Sequence, residues 1–261
     1  MNDTLALALS QIMALSQFWL AAGIAVFLRI GACFLVLPGL GEAIIPLRVK
    51  LGAALALSVL VTPAVLGDLP PMTGAMPPLR FFLTEAVAGL ILGLALRLTV
   101  HALQIAGTIA AQSTSLSQIM GGASPDPQPA MGAILMLSGV TLAVMAGLHV
   151  HLAAAFMRSY DLLPVGQMPA PGDLGAWGVD RVAASFGLAL SLAGPFLIAS
   201  LLYNVALGVI NKAMPQLMVA FVGAPAITWG GLFLLLITTP FLLPVWFEAF
   251  QAALVAPLGS P

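Results

Sequence analysis

Charge is what this sequence has least of. Only 17 of 261 side chains are charged, eight basic and nine acidic, or 7%, where a soluble fold carries about a quarter. So few cannot solvate the exterior of a compact body of this size, which excludes a water-soluble domain. With 61% hydrophobic residues and a mean hydropathy of +1.11, disorder is excluded too. The net charge is -1 and Lys and Arg form no run, so there is no electrostatic footprint for nucleic acid or an anionic lipid surface. The single cysteine, Cys33, sits in an apolar run and reads as a small core residue. One thiol excludes an intrachain disulfide and a cysteine metal cage. No Lys or Arg precedes Arg29, so the N-terminus lacks the basic region of a cleavable signal peptide, and the first hydrophobic segment is expected in the mature protein.

What is present is apolar length. About 20 apolar residues are needed to cross the hydrocarbon core as a helix, and six stretches qualify: roughly 18–37, 51–66, 81–100, 131–148, 182–210 and 217–247. The runs are continuous and lack two-residue alternation, which predicts helices rather than a barrel: an all-α, membrane-associated fold. They are poor simple spans, however. Gly and Pro total 46 residues, and Pro38, Pro63, Pro195, Pro225, Pro240 and Pro244 lie in or beside the runs, where helices are expected to bend or restart. In lipid such breaks survive only against protein or a cavity, so the chain is expected to pack against other protein. Positive-inside counting gives Arg48, Lys50, Arg97 and Lys212 against Arg80, Arg158 and Arg181, which does not orient the chain. A stretch rich in Pro, Gly and Asp, 161–180, reads as a surface linker and divides the chain near Ala170.

Residues with chemistry are few. No HExxH, P-loop, GxGxxG or DxD motif occurs. His149 and His151, two apart, point to different faces of a helix and do not make a chelating pair. Gly122-Ala123-Ser124 is weakly similar to the serine motif of intramembrane proteases, but Pro125 stands where that motif wants glycine. Arg29 lies near the middle of the first run. There a basic residue costs about 2.5 to 3.5 kcal/mol, and each Leu, Ile, Phe or Val returns about 0.3 to 0.6. The 11 such residues in that run just carry it. Arg29 therefore either faces a partner helix, an acidic group or a lumen, or snorkels from a shorter span. Glu85, Arg97 and Lys212 pose the same choice nearer segment ends. Residues 107–129, GTIAAQSTSLSQIMGGASPDPQP, are polar yet carry only Asp126. They are too polar for lipid and too neutral for a typical aqueous loop. That suits either a closure lining a conduit, with Gly121-Gly122 as hinge, or an ordinary connection.

The order of landmarks resembles the FliR family of flagellar type III export, whose virulence counterpart is the SctT family. The first half matches at Arg29, Pro38, Ile45-Pro46, Arg48-Val49, Gly52, Pro63, Glu85, Gly89, Gly93, Ala106-Gly107, Leu116-Ser117 and Asp126-Pro127. His149, Ser159-Tyr160, Leu163-Pro164 and Gly166 follow. The densest match, GVINKAMPQLMVAFVGAP, carries Gly208, Asn211, Lys212, Pro215, Gln216, Leu217, Gly223 and Pro225. There are departures. Ser113 and Ser115, with Gln112 adjacent, stand where the family often shows Gln and Gly; Lys212 replaces the usual arginine; Met218 and Ala220 replace a small polar residue and an aromatic one.

The resemblance implies a structural and gating subunit, with no catalysis and no cofactor, helping form the conduit for unfolded flagellar proteins across the bacterial inner membrane at the basal body. It implies several copies each of FliP-like and FliQ-like partners and an FlhB-like protein. Residues 1–170 would be a FliP-like part and 171–261 a linker and FliQ-like hairpin. A plug spanning about 107–127 would include Gly107, Gln112, Ser113, Ser115, Leu116, Ser117, Ile119, Met120, Gly121, Gly122, Asp126 and Pro127. Arg29, Pro38, Pro46, Arg48, Glu85, Gly89, Gly93, His149, Pro164 and the last-hairpin residues would serve assembly and packing. The competing class is a small multi-span secondary transporter, since broken helices and buried charges also mark substrate sites. No evident inverted repeat supports it.

Overall fold

The computed structural model describes residues 2–39, 45–68, 79–114, 130–214 and 219–259. Among these are seven α-helices and no strand: α1 (Asn2–Val36), α2 (Leu47–Val65), α3 (Leu79–Thr114), α4 (Ala130–Met145), α5 (Leu148–Leu162), α6 (Pro171–Ala213) and α7 (Val219–Val255). Five are long and apolar enough to cross a membrane, six if α4 and α5 count as one span. The helices form because an apolar surrounding offers the backbone no outside partner. Internal hydroxyls obey the same rule: Ser58, Thr62, Thr108, Thr141, Thr238 and Thr239 each donate to the carbonyl four residues back.

Several boundaries differ from the expected ones. Pro63, Pro195, Pro225, Pro240 and Pro244 lie inside continuous helices, and no helix restarts at them. Each lost hydrogen bond is one among many in a long helix with no solvent to compete for the rest. The expected 131–148 span instead splits at Gly147, whose φ of 84° is left-handed, and α5 follows. Residues 171–180 are the start of α6 rather than linker. Pro171 occupies the first helical position, where its missing N–H costs nothing, and Asp173 complements the positive end of the helix. Turn-like composition was here a helix-start signal.

Contacts divide the chain into two compact units. One comprises residues 1–97, 147–178 and 252–260; the other comprises 98–146 and 179–251. In the first, Val26, Ile30 and Phe34 of α1 are buried with Leu92 of α3 and Phe156 of α5, the Phe34 and Phe156 rings lying 6.4 Å apart. The Trp177 indole N–H donates to the Pro257 carbonyl at 3.0 Å, tying the end of the chain to the first turns of α6. In the second, Leu103, Leu135, Phe196 and Trp246 are buried. Trp246 stacks on Phe250 at 5.1 Å and donates its indole N–H to the Thr99 carbonyl at 2.8 Å. Gly139 admits this packing, since a Cβ there would meet both Leu103 and the Trp246 ring.

Candidate functional site

Within the first unit, α1 and α3 cross through glycine. A Cβ on Gly89 would overlap the Arg29 carbonyl, and one on Gly93 would lie 2.8 Å from the Cys33 carbonyl. That close approach brings Glu85, one turn before Gly89, against Arg29. The Arg29 Nε–H donates to Glu85 Oε2 at 2.8 Å, and the two side chains are 1% and 0% exposed. The other guanidinium donors reach Ser159 Oγ at 3.0 Å and the Leu163 carbonyl at 2.9 Å, while the Tyr160 ring covers the cation with its centroid 3.8 Å away. The Gly166 N–H donates to Glu85 Oε1 at 3.4 Å, from a backbone at φ 75° that glycine adopts without strain.

Two charges at this depth are tolerable only when each is paired and its remaining donors and acceptors are filled. The charges are paired and each nitrogen and carboxylate oxygen of the two groups has a hydrogen-bond partner, so Arg29 faces an acidic group of its own chain. The arrangement clamps the end of α5 and the turn after it to α1 and α3. The Tyr160 hydroxyl, also buried, has no partner among the described residues.

A second set of contacts, in the other unit, surrounds residues 107–114 of α3. Gly107 packs on Gly132 of α4 so closely that a Cβ on Gly107 would overlap the Gly132 backbone. Ser200 Oγ of α6 donates to the Ser113 carbonyl at 2.5 Å, and Asn204 Nδ2 donates to Ser200 O at 2.8 Å and to its Oγ at 3.2 Å. Gly231 of α7 lies against the Thr114 side chain; a Cβ there would stand 2.7 Å from Thr114 Cγ2. One turn along α6, the Tyr203 hydroxyl donates to the Gly223 carbonyl at 2.7 Å. Residues 107–114, read as the beginning of a polar loop, are helical and belong to α3, because their hydroxyls bond back to preceding carbonyls instead of capping a turn.

Of the remaining sequence-derived residues, Gln112 is exposed on α3 and Pro38 is half-buried just past α1. Pro46 and Arg48 are exposed at the start of α2, where the Pro46 carbonyl accepts from the N–H groups of Val49 and Lys50. His149 and Pro164 are exposed, as are Asn211 and Lys212 in the last turn of α6 and Pro225 in α7. Ser115, Leu116, Ser117, Ile119, Met120, Gly121, Gly122, Asp126, Pro127, Pro215, Gln216 and Leu217 lie outside the described residues. Among the described residues no group of three His, Cys, Asp or Glu side chains is placed to hold a metal ion. Sequence reasoning passed over Gly132, Ser200, Asn204 and Gly231. The available signal was polar or small residues in otherwise apolar runs, which mark helix contacts in a membrane protein.

Comparison with known proteins agrees with the landmarks. Residues 20–253 match the model of the family described as bacterial export proteins, family 1. A flagellar biosynthetic protein FliR from Caulobacter vibrioides is 32% identical over 232 residues, covering 88% of this chain and 92% of that one. The FliR of Escherichia coli is 28% identical over 224 residues, covering 83% and 84% respectively. That of Aquifex aeolicus is 27% identical over 226 residues, covering 86% and 88%.

Proposed function

The chain belongs to family 1 of the bacterial export proteins, the FliR family, and is a subunit of the flagellar export apparatus; from this premise we propose that it is a structural and gating subunit, acting without catalysis. It helps form the conduit through which unfolded flagellar proteins cross the inner membrane at the basal body. Its partners are several copies of FliP-like and FliQ-like subunits and an FlhB-like protein. Residues 1–170 make the FliP-like part and 171–261 the part that contains the FliQ-like hairpin, and a plug spanning about residues 107–127 occludes the resting conduit.

The observation that carries insertion among protein partners is the length of exposed apolar surface. On α6, large apolar side chains are exposed from Val179 to Ile210, and on α1 from Leu5 to Ile24. At 1.5 Å per residue the exposed side chains of α6 run about 45 Å, against about 30 Å of hydrocarbon. Lipid alone would cover them only at a tilt of about 50°, beyond the roughly 40° limit of spanning helices. A surplus of this length supports cover by neighbouring protein subunits.

Mild-detergent affinity purification of the tagged chain from its native cells, followed by mass spectrometry, tests this. FliP-like and FliQ-like proteins in excess of the chain are expected. Recovery of the chain by itself as a homogeneous species would overturn the reading and favour the transporter.

A further inference from the structure

The rotation of α5 about its own axis is fixed by the buried ion pair. Leu152, Phe156, Ser159 and Tyr160 are the buried residues of this helix. Arg29 donates to Ser159 Oγ at 3.0 Å and to the Leu163 carbonyl at 2.9 Å, and lies 3.8 Å from the centroid of the Tyr160 ring. Successive residues of a helix are turned by about 100°. The side opposite these contacts therefore carries His151, Ala154, Arg158 and Asp161, three or four residues apart. His151, Arg158 and Asp161 are exposed and Ala154 is half-buried. In a chain with so few charges, a cation, a carboxylate and an imidazole share one side of a single 15-residue helix.

The helices beside α5 in the same unit present apolar surface. Ile24 and Leu35 of α1, on either side of Arg29 along that helix, are exposed, and residues 4–36 carry no exposed charge. On α2, Leu55, Val59 and Leu60 are exposed and no charged residue follows Lys50. The Arg29 contacts thus place the Arg158 and Asp161 turn of α5 at a level where its neighbours are clad in apolar side chains. Ionisable groups at such a level are costly against lipid and face a water-filled cavity or another protein group. We propose that the outward side of α5, formed by His151, Ala154, Arg158 and Asp161, lines the aqueous path and meets the exported unfolded chain. The proposal rests on the reading of this protein as part of the conduit wall and deepens it by naming the helix face. One basic and one acidic side chain beside a small one offer polar contact without an apolar pocket, so that a chain in transit binds weakly enough to leave.

The test places single reporter cysteines at Arg158→Cys, Ala154→Cys and Val59→Cys in a Cys33→Ala background, and measures how fast each is modified by a charged methanethiosulfonate in the purified, assembled complex. The thiolate is the reactive form, and an apolar surrounding that raises the thiol pKa by one lowers the thiolate fraction about tenfold. Arg158→Cys and Ala154→Cys are expected to react at least about tenfold faster than Val59→Cys on the apolar face of α2. The same rates are then measured with a flagellar export substrate stalled in the complex by fusion to a tightly folded domain. Modification at Arg158→Cys and Ala154→Cys is expected to slow severalfold, and Val59→Cys to be unchanged.

If both α5 cysteines react as slowly as Val59→Cys, the face is covered by lipid or by a partner and the proposal fails. If they react fast but a stalled substrate that co-purifies with the complex leaves their rates unchanged, the face looks onto bulk water, and the proposal fails while the conduit reading stands. If the stalled substrate does not co-purify with a complex that is otherwise assembled, the conduit reading itself is overturned, and the proposal with it.

Discussion

The Arg29–Glu85 pair is a case in which removing one partner is worse than removing both. Arg29→Ala would strand a carboxylate that is 0% exposed, and breaking a buried pair in this way costs about 3 to 5 kcal/mol. Replacing both charges by apolar side chains of similar volume, Arg29→Met with Glu85→Met, is expected to recover most of that. Thermal stability of the detergent-solubilised complex is the measurement. If the double variant melted as low as the single one, the hydrogen bonds to Ser159 and Leu163 would outweigh the ionic contact itself. A second residue-scale prediction concerns helix proximity. Gly89→Ala places a methyl on the Arg29 carbonyl and should cost about 1 to 3 kcal/mol. Gly187→Ala, with open space where its Cβ would go, is expected within about 0.5 kcal/mol of wild type or slightly stabilising, by helix propensity. Equal melting temperatures for the two variants would disprove the close α1–α3 crossing.

At the scale of elements, two joints matter. Gly147 separates α4 from α5 with a left-handed backbone and nothing near its Cβ position, so Gly147→Ala suffers only conformational strain, about 1 kcal/mol. Hydrogen exchange at the N-terminal turn of α5 should rise in that variant while the Arg29 cluster stays protected. The second joint, between α6 and α7, depends on Tyr203 and Gly223. Gly223→Val would press on the Tyr203 hydroxyl and the Leu207 methyls, 3.0 and 3.2 Å from the new Cβ. The hairpin should splay, and recovery of FliQ-like or FlhB-like partners should fall. Unchanged recovery would remove the hairpin from assembly. Long helices with internal prolines fit this picture. Their stability comes from neighbouring helices and an apolar surrounding, so a missing N–H at Pro195 or Pro240 is tolerated where an aqueous helix would break.

For the whole molecule, exposed apolar surface is the governing quantity. Residues 4–17 of α1 are exposed on every face, with Leu5, Leu9, Ile12 and Leu15 each more than half accessible. Removing them deletes no packed contact of the chain's own core. The truncated protein should therefore keep the Arg29 and Trp246 packing yet lose incorporation into the complex. Comparing its accumulation in membranes with its co-purification separates the two effects; loss of accumulation with no partner dependence would mean that the segment serves folding instead.

How much of this was legible beforehand follows from range. The apolar runs, the near absence of charge and the ordered landmarks are local or composition-level properties. They determined an all-α membrane protein of the FliR family, because a backbone in an apolar medium has few solutions and because the landmarks keep their order along the chain. Helix ends were less legible: Pro171 and Asp173 read equally as a linker or a helix start, and hydroxyls at 108–114 read equally as a loop or as side chains bonded to the preceding turn. Only the tertiary structure decided what Arg29 faces, since Glu85 and Ser159 stand 56 and 130 residues away. It likewise decided that Ser200 meets the Ser113 carbonyl and Gly231 the Thr114 side chain. Such pairings depend on helix rotation and crossing point, which small residues such as Gly89 and Gly231 permit and which no single helix encodes.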